Sequence, residues 1–395
     1  MGPAREARRE TQPAAAPRRI CFVATLPITL KAFVLPQAAF LSRSGWDVTW
    51  VCAPDAEFAR RAPEWLRYRP MPFRRGLDAL EAPLHIWRLY RFFARERFDI
   101  VQYSTPNAAL YASVAAWLAR QPVRLYAQWG IRYVGFAGAP RKLFKLLERV
   151  TCACSTVVEP DSRSNLEFAV AEGLYRRGKA RVVWNGSASG VDLQRFDVSQ
   201  RDRWREQYRR RLGWDASHRV VGFVGALRRD KGSNELLAAA RRLASTMPRF
   251  RLLLVGDKEL YGSVDGELRA WADASPQVVY VPSTSEVPQY MSCMDVFTLP
   301  SYREGFGSVV VEAQAMGLPV VVSDVPGPVD AMKEGETGLV VPVRNADRLA
   351  AGLEALIDDD ELRERLGRAA VRWAATRFEQ RSYLEHVLAD KNGLL

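Results

Sequence analysis

The sequence lacks any hydrophobic run long enough to cross a membrane. A spanning helix needs roughly 18 apolar residues, and the longest candidate, residues 108–119, is an Ala-rich amphipathic stretch of about a dozen. Residues 1–17 are rich in Arg, Ala and Pro and have no apolar centre, which predicts a disordered leader and not a secretion signal. With 48% hydrophobic and 26% charged residues, the chain has the composition of a soluble globular protein, and it is long enough for two domains.

Metal-binding residue types are also scarce. The chain has five cysteines and three histidines, and the odd cysteine count in apolar surroundings predicts free buried thiols in a reducing compartment. Cys152 and Cys154 could form half of a metal site, but no second Cys or His pair supports that alternative. The acidic run 358–360 is better explained as the start of a helix, where carboxylates complement the dipole. The sequence therefore predicts no metal site.

Phosphate-binding loops of the Gly-x4-Gly-Lys-Ser/Thr type and nucleic-acid-binding signatures are absent as well. The charge is nevertheless uneven: residues 1–211 contain 36 Lys+Arg and 19 Asp+Glu, whereas residues 212–395 contain 21 and 26. A basic first half predicts an anionic partner on that side alone. Basic residues alternate with Leu, Phe and Trp at helical spacing in 84–95 and 141–149, which favours an anionic lipid surface. The alternative for either segment is an ordinary amphipathic helix with a solvated basic side.

Short apolar segments alternate with helical ones along the whole chain, which is the pattern of parallel α/β sheets. Predicted strands in the first half are 20–25, 47–52, 99–104, 124–128, 156–159 and 180–184. Those in the second half are 220–224, 250–255, 277–281, 296–299, 320–322 and 338–341. We expect a first domain at 18–193, a linker at 194–213 and a second domain at 214–378.

The most informative segment is residues 296–317, in which an apolar strand ends at Pro300 and two glycines, Gly305 and Gly307, precede a helix. The free amides and the dipole of a helix start favour an anionic group. Glu304 and Glu312 bracket this start, and carboxylates bind sugar hydroxyls. Phosphate and hydroxyl groups together indicate a nucleotide-sugar, although a glycine pair at such a turn is also common without a ligand.

The stretch PSYREGFGSVVVEAQAMGLPVVVSDVPG, with Glu304-x7-Glu312, resembles the signature of family 4 retaining glycosyltransferases of the GT-B fold. The similarity extends over about residues 18–390 and is closest to bacterial enzymes of capsule, O-antigen and exopolysaccharide synthesis. It implies two Rossmann-like, doubly wound parallel-sheet domains facing across a cleft, with the last helix, about 379–395, returning to the first domain.

The resemblance also implies a donor site in the second domain. Gly225 to Gly232 is similar to the family's Gly-Arg-Leu-x-x-x-Lys-Gly segment, in which Arg and Lys hold the diphosphate. Lys231 matches, but Ala226 replaces the Arg, so Arg228 is the substitute candidate; the alternative is a merely solvated basic loop. Glu304 is expected at the sugar and Glu312 at the ribose. The remaining donor-site candidates are Gly225, Ser283 near the base, and Gly305, Phe306, Gly307, Ser308 and Val309.

The acceptor side is less determined. Where many relatives have a His, this chain has Gln128 or Trp129, so no His general base is predicted. Trp129, Arg132 and Tyr133 are candidates for stacking and anion contact, with burial in the core as the alternative for the aromatics. Asn185 precedes a Gly-Ser-rich loop, 186–190, that resembles the family's inter-domain loop.

Together these features predict a metal-independent retaining glycosyltransferase. It would move a hexose or N-acetylhexosamine from a UDP- or GDP-sugar to a polyprenyl-diphosphate-linked or other saccharide, at the cytoplasmic face of the membrane. Nucleic acid is not expected as a partner, although the basic half suggests that alternative. The second alternative is a nucleotide-sugar-binding protein that has lost catalysis, which Ala226 and the missing His suggest.

Overall fold

The structure is a computed structural model that describes residues 16–73, 80–258 and 261–395. The predicted leader therefore lies outside the described residues, apart from its last two. Two six-stranded sheets form the frame, with strand orders β3-β2-β1-β4-β5-β6 and β12-β11-β10-β7-β8-β9. Strands of the first sheet are β1 (Arg19–Val23), β2 (Asp47–Cys52), β3 (Leu66–Pro70), β4 (Ile100–Tyr103), β5 (Val123–Gln128) and β6 (Val157–Pro160). Strands of the second sheet are β7 (Arg219–Val224), β8 (Phe250–Gly256), β9 (Val278–Pro282), β10 (Val296–Leu299), β11 (Val320–Ser323) and β12 (Gly338–Val341).

All pairings within the two sheets are parallel, so every strand ends at the same edge of its sheet. The helices of the first half are α1 (Pro27–Thr29), α2 (Leu35–Arg43), α3 (Ala56–Arg61), α4 (Ala82–Glu96), α5 (Pro106–Leu118), α6 (Gly138–Cys154) and α7 (Arg163–Ala171). Those of the second half are α8 (Arg201–Arg211), α9 (Ser233–Thr246), α10 (Gly266–Ala274), α11 (Val287–Ser292), α12 (Ser308–Ala315), α13 (Pro328–Ala331), α14 (Ala346–Asp358), α15 (Asp360–Phe378) and α16 (Gln380–Gly393). Short π and 3-10 segments are Leu30–Val34, Arg132–Gly135, Arg177–Lys179, Val198–Gln200, Arg229–Lys231 and Tyr261–Ser263.

This is the doubly wound arrangement that the alternating sequence predicts. We call the parts built around the two sheets the first and the second domain. The helices cover both faces of each sheet, and the inner strands are buried and largely apolar, as a two-sided parallel sheet requires. The order of strands reverses between β1 and β4 in the first sheet and between β7 and β10 in the second. Open α/β sheets bind ligands at this switch point, outside the carboxyl ends of the strands.

Two strand predictions differ from the structure. Residues 180–184 do not form a strand: a single bridge joins Ala180 to Val158, and Trp184 has a positive φ of 51°. Instead, Trp184 stacks on His386 of α16, with ring centroids 5.0 Å apart. Conversely, β3 is missed by the sequence pattern, because this edge strand, LRYRP, is largely exposed and has little apolar alternation.

The segment expected as a linker, 194–213, contains α8, which packs against α11 of the second domain. Arg209 of α8 is buried and its guanidinium contacts Asp295 at 2.8 Å. The last helix, α16, lies against α2 of the first domain. There Lys391 is fully buried, with its Nζ 2.9 and 2.7 Å from the two carboxylate oxygens of Glu159. The chain therefore crosses between the domains twice.

Candidate functional site

A cavity of about 650 Å³ lies between the domains at the carboxyl ends of the central strands. Its first-domain wall comes from the residues that follow β1, β4 and β5, and its second-domain wall from the residues that follow β7 and β10. The lining residues are Thr25, Leu26, Thr29, Thr105, Pro106, Asn107, Tyr126, Trp129, Gly130, Arg132, Phe136, Arg228 and Arg303. The two switch points therefore face each other across one space.

Lys231 and Glu304 do not line this cavity themselves; they form an ion pair in the loops that contribute Arg228 and Arg303 to its wall. The Lys231 Nζ lies 2.5 Å from Glu304 Oε1, which also accepts a hydrogen bond of 2.7 Å from Ser301. Within the described residues, Glu304 Oε2 accepts no hydrogen bond. The pair thus holds the glutamate in place and leaves one of its oxygens for a ligand hydroxyl.

A glycine makes this pairing possible. Gly232 has a left-handed φ of 72°, and a Cβ at this position would lie 2.0 Å from the carbonyl oxygen of Pro300. Only a residue without a side chain lets the loop after β7 approach the loop after β10 this closely. Lys231 is brought to Glu304 by that approach, although the two are 73 residues apart.

The helix start predicted at Gly305 to Val309 is present. Gly307 has φ of 81° and precedes α12, and Ser308 and Val309 form its first turn. The amides of a first helical turn have no intrahelical acceptor, so they are available to an anion. Phe306 is 2% exposed and packs against Phe378, with centroids 5.2 Å apart. Its side chain is thus a core anchor, and only its backbone can contact a ligand.

Glu312 lies one helical turn further along α12 and differs from Glu304. It is partly buried, and no described residue donates a hydrogen bond to its carboxylate. Burial raises the pKa of Glu312 to about 7, and the positive charge of Arg195 offsets this only in part. A carboxylate in this state gains stability from hydroxyl donors, which favour its charged form.

The remaining donor-site candidates lie around this turn with different roles. Arg228 Nε is 2.8 Å from Asp230 Oδ1, and the Arg228 side chain lines the cavity. Gly225 has φ of 154°. A Cβ on Gly256 would lie 2.0 Å from the carbonyl oxygen of Gly225, so the ends of β7 and β8 approach closely here. Ser283 follows β9 and is exposed, with no hydrogen bond to its side chain among the described residues.

The domains meet at the Glu304–Gly305 turn. A Cβ on Gly305 would lie 2.3 Å from Asp161 Oδ2 and 3.0 Å from the amide nitrogen of Gly130. Asn165 donates hydrogen bonds to the carbonyl oxygens of Glu304 and Gly305. Asp161 is buried, and its desolvation, with the nearby negative charges of Glu304 and Asp330, holds its pKa well above the ordinary value. The first domain thereby fixes the backbone that presents Glu304.

The first-domain candidates separate into two groups. Trp129 and Arg132 line the cavity, and Trp129 contacts Phe33 with ring centroids 5.7 Å apart. Tyr133 is only 1% exposed and donates a hydrogen bond of 3.2 Å to Glu172, so it belongs to the core, which was the alternative that the sequence left open. Asn185 does not line the cavity; its side chain donates to the carbonyl oxygen of Arg377, at the end of α15.

Thr25, Thr105, Asn107 and Arg303 are among the cavity-lining residues that the sequence did not indicate. Thr25 and Thr105 are joined by their hydroxyls at 2.9 Å, and Thr105 has a positive φ of 64°, which is unusual for a β-branched residue. Because both follow central strands of the first sheet, their position after β1 and β4 could have identified them. Arg303 adjoins Glu304 in the motif and carried no signal of its own.

Across the described ranges, no cluster of three or more His, Cys, Asp or Glu side chains is arranged to hold a metal ion. None of the described helices is both long enough and apolar enough to cross a membrane. The five cysteines are unpaired, and four are buried.

Comparison with known families matches both halves of the chain. Residues 204–373 match the model for glycosyl transferases group 1, and residues 30–186 match that for a glycosyl transferase 4-like domain. The capsular polysaccharide biosynthesis glycosyltransferase CapM of Staphylococcus aureus is 28% identical over 91% of this chain and 93% of its own length. A D-inositol 3-phosphate glycosyltransferase of Rhodococcus erythropolis is 30% identical over 83% of this chain and 78% of its own.

The fold is shared with solved structures. Anabaena HepE, determined in complex with UDP-glucose, superposes with a TM-score of 0.74 and 20% identity over 95% of this chain and all of the other. The two-domain fold of this chain is thus shared with a solved structure of low sequence identity.

Proposed function

Because the chain belongs to the group 1, GT4-like glycosyltransferases of the GT-B fold, we propose that it transfers a hexose or N-acetylhexosamine from a nucleotide-sugar, with retention of configuration. We propose that the acceptor is a lipid-diphosphate-linked saccharide and that the reaction belongs to surface polysaccharide synthesis. The name of the CapM relative likewise refers to capsular polysaccharide biosynthesis. The observation that carries this proposal is the Lys231–Glu304 pair beside the start of α12, close in the chain to Arg228 and Arg303, which line the inter-domain cavity.

Each part of a nucleotide-sugar has a complement in the second domain. Lys231, Arg228 and the amides of Ser308 and Val309 supply positive charge for the diphosphate. Glu304 Oε2 is open to a sugar hydroxyl, and the Glu312 carboxylate is open to the vicinal hydroxyls of a ribose. The base would lie toward Ser283 at the end of β9. A UDP-sugar is the first donor to test, because HepE was determined with UDP-glucose.

The chemistry follows from this placement. The bond from the anomeric carbon to the diphosphate oxygen breaks, and negative charge grows on the leaving group, where the cations and helix start stabilise it. The acceptor oxygen attacks from the same face, and its proton passes to the leaving diphosphate. This front-face path needs no protein base at Gln128 or Trp129. Positive charge from Lys231, Arg228 and α12 serves the role that a metal ion has in other transferases, so we propose a metal-independent reaction.

A panel of nucleotide-sugars tests the proposal. The true donor should raise the melting temperature by mass action and be hydrolysed slowly without acceptor. Glu304→Gln should bind the donor but lose that hydrolysis. A catalytically lapsed binding protein would show the thermal shift without hydrolysis in either form. A protein with no response to any nucleotide-sugar would contradict the proposal.

The outer face of the first domain supports a peripheral membrane location. Helix α5 contacts both α4 and α6, and all three expose large apolar side chains outward. Trp87 is 51% exposed, Trp117 54% and Leu146 58%. Exposed cations share these helices or follow them directly: Arg88, Arg91, Arg95, Arg120, Lys142 and Arg149.

Carboxylates are nearly absent from this three-helix face. Glu96 pairs with Arg19 at 2.8 Å, and Glu148 is buried; α4, α5 and α6 contain no other acidic residue. The exposed cations named above have no ion-pair partner in the described ranges. Tryptophan and leucine exposed among such cations suit the headgroup region of an anionic bilayer. We therefore propose that the enzyme binds the inner face of the cell membrane through this surface.

Sedimentation with vesicles tests this placement. The double variant Trp87→Ala/Leu146→Ala should bind phosphatidylglycerol vesicles at least about tenfold more weakly, since each side chain contributes roughly 1 kcal/mol of apolar burial or more. Leu395→Ala, which truncates an exposed leucine elsewhere, is the control and should bind normally. Equal binding to phosphatidylcholine, or by all variants, would contradict an anionic membrane partner.

A further inference from the structure

The cavity between the domains has an unusual charge composition. Arg132, Arg228 and Arg303 line it, whereas none of its lining residues is an aspartate or glutamate. Among the described residues, the one carboxylate that pairs with any of these cations is Asp230, which lies 2.8 Å from Arg228 and 3.0 Å from Arg303. Two of the three guanidinium groups thus share one carboxylate.

Arg132 has no acidic partner in the part of the chain that the structure describes. Its guanidinium lies over the ring of Phe144, at 4.6 Å from the centroid, and 5.9 Å from that of Phe136. Stacking of this kind fixes the planar group without neutralising it. Burial and the positive charge of Arg303 lower the pKa of Arg132.

Arg303 reaches the same place from the other domain. A Cβ on Gly135 would lie 3.0 Å from Arg303 Nε, so this side chain passes directly over the first-domain loop. The Arg303 Nε is buried and has no hydrogen-bond partner among the residues that the structure describes. Two cations from different domains therefore lie near each other, and the Arg303 Nε–H group is a donor that no described residue satisfies.

We propose that Arg132 and Arg303 form an anion subsite that binds a phosphate or diphosphate group of the acceptor across the domain boundary. The proposal rests on the proposed function and deepens it. An oxyanion between the two guanidinium groups would relieve their repulsion and accept their free N–H donors. The hydroxyls of Thr25, Thr29 and Thr105 and the ring of Trp129 leave a neutral surface beside it for the acceptor sugar.

The donor diphosphate is the competing occupant, and the geometry disfavours it. Its complement is Lys231 with the start of α12, all in the second domain, whereas Arg132 belongs to the loop after β5. An acceptor anion bridging Arg132 and Arg303 would also draw the two domains together. Acceptor binding and closure of the cleft would then be coupled.

The test is calorimetric titration of inorganic pyrophosphate into protein saturated with UDP, so that the donor subsite is filled. We expect binding to the wild type, and at least about tenfold weaker binding to Arg132→Gln and Arg303→Gln, the effect of losing a charge-assisted hydrogen bond. Arg132→Lys, which keeps the charge, should retain part of the affinity. Arg60→Gln removes an exposed first-domain arginine outside the cavity and should bind as the wild type does.

The UDP affinity of each variant distinguishes the two anions. Arg132→Gln should leave the Kd for UDP within about twofold; an equal loss for UDP and pyrophosphate would assign Arg132 to the donor and overturn the proposal. Absence of pyrophosphate binding to UDP-saturated wild type would overturn it too. If UDP does not bind, the donor subsite is filled with whichever nucleoside diphosphate does; if none binds, the proposed function fails separately. The pyrophosphate titration then runs on free protein, where a larger loss in Lys231→Ala than in Arg132→Gln would still reject the subsite.

Discussion

The two walls of the cleft are built in different ways. On the second-domain wall, Lys231, Glu304 and Ser301 are joined by short hydrogen bonds, and Gly232 sets the backbone approach that brings them together. On the first-domain wall, threonine hydroxyls, Trp129 and Arg132 come from the three loops after β1, β4 and β5, and Arg132 has no acidic partner among the described residues. We call the second-domain side the donor wall and the first-domain side the acceptor wall, after the ligands proposed for them. The donor wall is a pre-organised unit of neighbouring charges, whereas the acceptor wall carries a cation that a bound anion would neutralise.

This difference also separates the two glutamates of the motif. Glu304 is held by two partners, while Glu312 has none among the described residues and has a pKa of about 7. One is positioned by the protein before any ligand binds; the other depends on the ligand for its partners. The predictions below test whether the two walls, and these two carboxylates, act as differently as they are built.

The largest effect is expected at the ion pair of the donor wall. Lys231→Ala and Glu304→Ala should each lower turnover at least about a hundredfold, because each removes charge stabilisation or its positioning at the leaving group. Arg229→Ala, which removes an exposed neighbouring cation, should stay within about threefold. Initial rates with the identified donor measure all three. Near-normal turnover in Lys231→Ala and Glu304→Ala would refute the site.

The second prediction concerns the glycine that closes the donor wall. Gly232→Ala places a Cβ against the Pro300 carbonyl, whereas Gly213→Ala has a similar left-handed φ of 70° with nothing within 4 Å. The first should therefore destabilise the protein by about 2 kcal/mol more than the second, which isolates the clash from the backbone strain. Urea unfolding followed by second-domain fluorescence measures the difference. Equal destabilisation would mean that the close approach of the two loops is not required.

The third prediction is a pH dependence at Glu312. Hydroxyl donors favour the charged carboxylate, so donor binding should release a proton from a group whose pKa in the free protein is about 7. Affinity for UDP-glucose should then weaken roughly tenfold from about pH 8 to pH 6. Its phosphates do not titrate in this interval.

Glu312→Gln is the control for that experiment, and its affinity should be nearly independent of pH. The same raised pKa has a consequence for stability. Since the unfolded chain has the lower pKa, ionising Glu312 costs stability increasingly as the pH rises from about 4.5 to 7. The Gln variant without ligand should therefore melt higher than the wild type above pH 7. A flat wild-type affinity profile would contradict the assignment of Glu312 to the ribose.

The smallest effect is expected within the acceptor wall itself. Trp129→Ala should raise the acceptor KM about tenfold, because its half-buried ring lines the cavity and offers a sugar a stacking surface. Tyr133→Phe should leave that KM within about twofold and lower stability by roughly 1 kcal/mol through the lost hydrogen bond to Glu172. Acceptor-dependent rates and thermal melting measure the two. A large KM effect of Tyr133→Phe would place Tyr133 in the site despite its burial.

The sequence predicted the parts of the fold that depend on local pattern. Buried parallel strands such as β10 and β7 are continuous apolar runs, and the helix start at Gly307 follows from its glycine and the strand before it. The exposed edge strand β3 gave no such pattern. The false strand at 180–184 is apolar because Trp184 packs against the C-terminal helix, a contact between residues about 200 positions apart that periodicity cannot reveal.

The residues of the site also divide into those that the sequence could identify and those that it could not. Glu304, Glu312 and Lys231 lie in short motifs, so a resemblance could identify them. Tyr133 and Trp129 are four residues apart and similar in type, and only the fold shows that one is buried and the other faces the cleft. Arg132 and Arg303 lie near each other across the domain boundary. Their proximity depends on how the domains pack, which no local pattern encodes.

The most direct measurement is a crystal structure with the identified nucleotide-sugar bound. The account predicts the diphosphate at Lys231, Arg228 and the amides of Ser308 and Val309, the ribose hydroxyls on Glu312, and the sugar against Glu304. A diphosphate bound away from the start of α12, with Glu304 and Glu312 making no contact to the ligand, would contradict it.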